Sequence, residues 1–179
     1  RNVEAIVHVV RCFSDSNVVH VDGRIDPLSD IETINTELIL SDMEILDRRI
    51  LRTSKMLKSD KTVKKELDIL QELYEWLGQG KTARTMDMED EEAEFVKTLD
   101  LLSFKPVIYA ANVSEDEAAS EGETNDDVKK LRSFAREEGS DVIVICAKIE
   151  AELSELDDEE KKMFLEEMGI SEPGLDKLI

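Results

Sequence analysis

Aromatic residues make up only 4% of the 179-residue chain, with a single Trp. There are 7 Gly, 3 Pro, 2 Cys and 2 His. So few turn formers, in a chain rich in Leu, Glu, Lys and Asp, argue against a β-sandwich and for long exposed helices. Cys12 and Cys146 are far apart and form no CxxC pattern, which excludes a disulfide framework and suits a reducing cytosol. His8 and His20 have no Cys or second His at ligand spacing, so they are expected to be structural. No apolar run approaches the roughly 18 residues that cross a bilayer, and no secretory leader is apparent. A soluble cytoplasmic protein with no membrane partner is expected.

Charge is abundant instead. Charged residues form 37% of the chain and the net charge is −20. A body so acidic repels nucleic acid as a whole. One segment breaks the rule. From Arg48 to Lys65 the bases are Arg48, Arg49, Arg52, Lys55, Lys58, Lys61, Lys64 and Lys65, against one acid, Asp60. Solvated helix faces normally mix both signs. Here one sign is segregated, so contact with RNA or the ribosome is favoured over a plain solvated face.

Three β-rich runs stand out: 3–10, 106–111 and 142–146. Short continuous apolar runs read as strands buried on both faces of a parallel sheet. Helical segments between them give an α/β class. Asp22–Gly23 predicts a hairpin turn in a small ribbon over 18–27. Ser29 and Glu32 read as a capping box. Behind it, Ile39, Met43, Leu46, Ile50, Thr53 and Leu57 recur every four or three residues, and Val63, Leu67, Leu70, Tyr74 and Leu77 do the same. Two such seams across the short turn Lys58–Lys61 predict an antiparallel helical hairpin or coiled coil that projects from the body. Further helices are expected over 88–102, 126–138 and 157–168, with a last one opening at Ser171–Pro173. The organisation read from this is an α/β domain over 1–28 and 103–179, interrupted by a helical-hairpin insertion over 29–102.

Phosphate-binding chemistry is missing. Gly80–Lys81–Thr82 imitates the end of a phosphate-binding loop, but Glu75 stands where the first Gly is required and a helix precedes it. No Asp-x-x-Gly occurs. What remains lies at two strand ends, where open α/β sheets bind ligands. The second strand runs into Asn112–Val113–Ser114–Glu115 and the third into Cys146–Ala147–Lys148.

This pair resembles the base-recognition motifs of P-loop GTPases, Asn-Lys-x-Asp followed by Ser-Ala-Lys. The departures match one family. Together with 3–13, His20–Pro27, Asp30–Glu32, Lys105–Tyr109 and Ala147–Leu153, they closely resemble the Obg-like ATPase (YchF) family across essentially the whole chain. The resemblance implies a partial P-loop NTPase fold. The P-loop, the switch regions, the bound Mg²⁺ and a C-terminal TGS domain would lie outside this segment. The chain opens at Arg1 and closes at Ile179, and is expected to be an inactive piece of a longer ATP-hydrolysing protein.

The base preference can be argued from the residues. A guanine-reading Asp accepts from N1–H and the 2-amino group, whereas adenine offers an acceptor at N1 and no 2-amino group. Glu115 is one methylene longer than Asp, and Val113 replaces the Lys that would stack over the base. Asn112 is expected to reach N7 or the 6-amino group with its amide in either orientation, and the Val113 backbone to meet the adenine edge. Ala147 and Lys148 line the same pocket, and Phe13 is a candidate to flank the base. ATP is expected to be favoured over GTP. The competing readings are a non-enzymatic RNA- or ribosome-binding hairpin module and an acidic helical scaffold without a ligand. The oligomeric state is not legible.

Overall fold

The structure, a computed structural model, describes residues 4–13 and 26–178. The ribbon expected over 18–27 and His20 fall mainly outside the described residues. The chain divides into two compact units, one of Arg1–Ile6 and Glu32–Pro106, the other of Val7–Ile31 and Val107–Ile179.

The second unit carries a three-stranded sheet in the order β1-β2-β3, with β1 Ile6–Arg11, β2 Val107–Asn112 and β3 Asp141–Ile145. β2 and β3 run parallel, with Ala110 opposite Ile143 and Asn112 opposite Ile145. β1 follows β2 in the same sense: Ile6 N–H bonds Pro106 O and Cys12 N–H bonds Asn112 O, both at 2.9 Å. This is the parallel α/β architecture expected. The central strand β2 is almost wholly buried. β1 corrects the expectation of burial on both faces. His8 and Val10 are buried, but Val7 and Val9 are 43% and 56% exposed. Alternate side chains point to opposite faces, so a continuous apolar run does not by itself show that both faces are covered.

Helix α5 (Asp126–Glu138) packs Val128, Leu131 and Ala135 inward. The buried Tyr109 ring meets Phe134 edge-on at 6.0 Å, and its hydroxyl donates to Glu138 Oε2 at 2.6 Å. His8 is packed 5.8 Å from the same ring, in the structural role expected. α5 ends at Gly139, whose φ of +80° is the left-handed conformation that glycine adopts without Cβ strain. Helices α4 (Glu115–Ala118), α6 (Ala147–Leu153) and α7 (Asp158–Met168) complete this unit. Ile149 and Leu153 form a small core with Cys146, lined by Phe164, Leu165 and Met168.

Helix α1 (Pro27–Leu57) opens differently from the capping box expected. Asp26 Oδ1 accepts from the N–H of Leu28 at 3.2 Å and of Ser29 at 3.5 Å. Asp at the cap followed by Pro, whose fixed φ suits the first helical position, sets the start three residues earlier.

In the first unit α1 and α2 (Lys64–Gly78) are joined by the turn at Asp60, whose carboxylate accepts from Thr62 N–H at 2.9 Å. The Met43 methyl lies against Gly78, so α2 runs back along α1. Ile39 and Leu46 of α1 share a core with Ile69, Leu70, Leu73 and Leu77 of α2. Ile69 and Leu73 lie outside the heptad seam. They are buried because Val96 of α3 (Asp90–Lys97), Leu99 and Leu101 cover that side of α2. Each fully buried Leu stabilises by about 1.5–3 kcal/mol. α3 is shorter than the helix expected over 88–102. The chain passes through Asp100 at φ 56° and a 3₁₀ turn, Leu102–Phe104. That turn is bound by the buried Asp42, whose two carboxylate oxygens accept Leu102 N–H at 2.9 Å and Ser103 N–H at 2.8 Å. The last helix expected from Ser171 is a 3₁₀ segment, Gly174–Leu178.

Candidate functional site

The site is built at the carboxyl ends of the three strands. Asn112 is the last residue of β2. Its carbonyl accepts from Cys12 N–H beyond β1 at 2.9 Å. Its side-chain Oδ1 accepts from Ala147 N–H beyond β3, also at 2.9 Å. Val113 N–H donates to Ile145 O at 2.8 Å, and the Val113 side chain is buried against Gly122 and Val128. Lys148 Nζ pairs with Glu115 Oε1 at 2.9 Å. The hydrogen bond and charge of Glu115 raise the Lys148 ammonium above its ordinary pKa. Asn112, Val113, Glu115, Ala147 and Lys148 are thus brought together by the fold.

Three of these contacts change what the residues can do. With Oδ1 held by Ala147, the Asn112 amide has one orientation rather than two, and Nδ2 is its donor. The Val113 N–H is spent on the sheet, which leaves its carbonyl as the backbone group at that position. The Glu115 carboxylate is paired through Oε1 with the exposed Lys148 ammonium.

Phe13 follows Cys12 and is half-buried. The Arg11 guanidinium sits 5.3 Å from its ring centroid, and Arg11 Nε donates to Phe13 O at 3.3 Å. Asn125 was not legible as a site residue. Its Nδ2 donates to Cys12 O at 2.6 Å while its Oδ1 caps α5 by accepting from Asp127 and Val128 N–H. The Asn–Asp–Asp pattern announces a helix cap, but nothing local announces the partner 113 residues away. Cys12 is fully buried, and burial together with Asp127, Asp30 and Glu117 pushes its thiol pKa up to about 12. Both cysteines pack rather than react.

The basic turn of the first unit is largely solvent-facing. Arg48, Arg52, Lys55, Lys58, Lys61, Lys64 and Lys65 are exposed and Arg49 is half-buried. Two of them meet acids that lie beyond the segment in sequence. Lys64 pairs with Asp68 at 2.6 Å and Lys65 with Glu91 at 3.1 Å. The eight-to-one charge count therefore overstates the local excess. Leu51 stands 60% exposed between Arg48 and Lys55, which share its helix face. Gly80–Lys81–Thr82 forms no phosphate cradle. It follows α2, with Lys81 Nζ 4.3 Å from the Trp76 ring centroid and Trp76 Nε1 donating to Thr82 O at 2.8 Å. Among the described residues no group of three or more His, Cys, Asp or Glu is placed to hold a metal ion. No described helix is long and apolar enough to cross a membrane.

A parallel α/β sheet with paired loops at its carboxyl edge is common to several ligand-binding α/β folds, and the likeness to a solved structure narrows the class to a P-loop NTPase domain. The Schizosaccharomyces pombe YchF GTPase structure superposes with a TM-score of 0.80 at 28% identity, covering 98% of this chain and 48% of that one. The chain is homologous over its whole length to the YchF family. It is 53% identical to the ribosome-binding ATPase YchF of Bacillus subtilis and 43% identical to that of Escherichia coli O157:H7, in both cases over 100% of this chain. It spans about half the length of these relatives, 49% and 48% respectively. No family model matches the chain.

Proposed function

We propose that this chain carries the base-reading edge of an ATP-hydrolysing P-loop protein that works on the ribosome. The observation that carries the reading is the Asn112–Ala147 bond. It joins the two motif loops and aims an amide donor, which suits the N7 acceptor of a purine. N7 is common to adenine and guanine, so Asn112 supplies affinity and other groups supply selectivity. The Val113 carbonyl accepts the 6-amino group of adenine and repels the 6-carbonyl of guanine. The carboxylate that would hold guanine N1–H and its 2-amino group is instead paired with Lys148. A guanine buried here would leave those donors unmatched, at about 1–3 kcal/mol per group. Phe13 flanks the base, and Ala147 and Lys148 close the pocket. Phosphate and Mg²⁺ chemistry is left to the part of the protein outside this segment.

The ribosome enters through the relatives, which are named ribosome-binding ATPases. The exposed bases from Arg48 to Lys61, on a chain of net charge −20, supply the complementary surface. The acidic remainder keeps the body off the phosphates and orients docking.

Calorimetric titration of the full-length protein with ATP and GTP tests the nucleotide half of this reading. ATP is expected to bind more tightly. Equal or tighter GTP binding, in keeping with the GTPase name of the solved yeast relative, would overturn the selectivity argument.

A further inference from the structure

We propose that the segment Gly174–Lys177 is a positioning strap for the two base-reading loops, with Lys177 and Glu150 as its positioning residues. The inference rests on the base-site reading above and concerns groups that do not touch the base.

β3 is an edge strand of the sheet, and its carbonyls alternate in direction. Ile145 O faces β2 and accepts Val113 N–H at 2.8 Å. Val144 O therefore points to the open edge. Lys177 covers it, donating to Val144 O at 3.1 Å and pairing with Glu121 Oε1 at 3.0 Å. Glu121 belongs to the loop that follows Glu115. Its neighbour Gly122 is so close to Val113 that a Cβ there would lie 3.3 Å from Val113 Cγ1. At the other end of the strap, Gly174 N–H donates to the Glu150 carboxylate, two residues beyond Lys148. Gly174 also sits directly on Ile145. An added Cβ would come within 2.5 Å of Ile145 Cγ2 and 2.6 Å of Glu150 Oε1.

One short segment is thus fastened to both loops. One contact is behind Val113 through Glu121–Gly122, and the other is behind Lys148 through Glu150. Neither end is held by apolar burial alone. A glycine with no room for a methyl group and a lysine bridging a strand carbonyl to a carboxylate define the spacing. That spacing decides whether Nδ2 of Asn112 and the carbonyl of Val113 can meet one base at the same time.

The test uses the full-length protein and separates base contacts from phosphate contacts. ATP and inorganic tripolyphosphate each compete with a fluorescent ATP analogue, and the inhibition constant of tripolyphosphate divided by that of ATP reports the base. Lys177→Met and Gly174→Ala are expected to lower that ratio about 5-fold, the size of one lost hydrogen bond, with tripolyphosphate binding unchanged. Lys177→Arg, which can still donate to both partners, is expected to restore it. If Gly174→Ala does not fold, Lys177→Met decides alone, since methionine keeps the aliphatic stem of a side chain that is 21% exposed. An unchanged ratio, or equal loss of ATP and tripolyphosphate binding, overturns the strap. Asn112→Ala is the control. If it lowers the ratio while the strap variants do not, the base site stands and the strap falls. If it also leaves the ratio unchanged, the base site falls and takes the strap with it.

Discussion

The side-chain oxygen of Asn112 holds the backbone N–H of Ala147 at 2.9 Å, across 35 residues of sequence. The bond consumes one half of the amide and so selects what the other half offers. Asn112→Asp keeps an acceptor for Ala147 but places a carboxylate oxygen where the N7 donor was. Its stability is expected to stay near that of the parent, while ATP affinity falls about 10-fold or more through lone-pair repulsion at N7. Asn112→Ala is expected to lose both stability and affinity. Thermal melts and nucleotide titration on the same preparations separate the two effects.

Val113 occupies the position of the base-stacking Lys in the GTPase motif, but its side chain is 1% exposed beside Val128 and Gly122. Restoring that Lys therefore buries an ammonium rather than stacking it on a base. Val113→Lys is expected to destabilise by about 3 kcal/mol or more. It is not expected to convert the site to GTP. Urea denaturation would show the loss as a lower midpoint. A folded variant of normal midpoint that prefers GTP would contradict this placement of Val113.

Arg48, Arg52 and Lys55 are exposed on one face of α1, away from the buried Leu46 and Thr53. Reversing all three to Glu is expected to leave the melting temperature within a few degrees and nucleotide binding intact. Ribosome binding should drop steeply, and the salt dependence of the remaining binding should be shallower, because fewer counterions are released. Co-sedimentation with ribosomal particles across a salt series measures both. Equal binding of parent and triple variant would make this a plain solvated helix face.

The thiol of Cys12 gives a pH dependence of stability. Its pKa is about 12 in the fold against an ordinary value of 9.0. Below pH 9 both folded and unfolded chains keep the proton and no stability is lost. Above it the unfolded chain ionises first, so stability falls as pH rises from 9 toward 12. At pH 10.5 the loss is roughly 1–2 kcal/mol. Cys12→Ala is expected to be less stable at pH 8 but to lose less between pH 8 and 10.5. Denaturant melts at the two values measure the difference.

Much of the architecture was legible along the chain. β-Branched runs gave three strands, and the four-three spacing from Ile39 to Leu57 and from Val63 to Leu77 gave a helix pair. Both signals arise from local periodicity, which one face of an element imposes on its own residues. The motif residues Asn112, Glu115, Ala147 and Lys148 were legible for a related reason, since strand ends and the residues after them are contiguous in sequence. Their partners were not. The acceptor role of Asn112, the Lys148–Glu115 pair, Asn125 on Cys12 O and the two oxygens of Asp42 on Leu102 and Ser103 all join residues that no local pattern relates. The same limit applies to charge: Glu91 reaches Lys65 from outside the basic segment. Sequence determined which chemical groups this protein carries and on which elements they stand. Tertiary structure alone decided which hydrogen-bonding valences were already spent, because a buried donor or acceptor must find a partner wherever the packed chain brings one within reach.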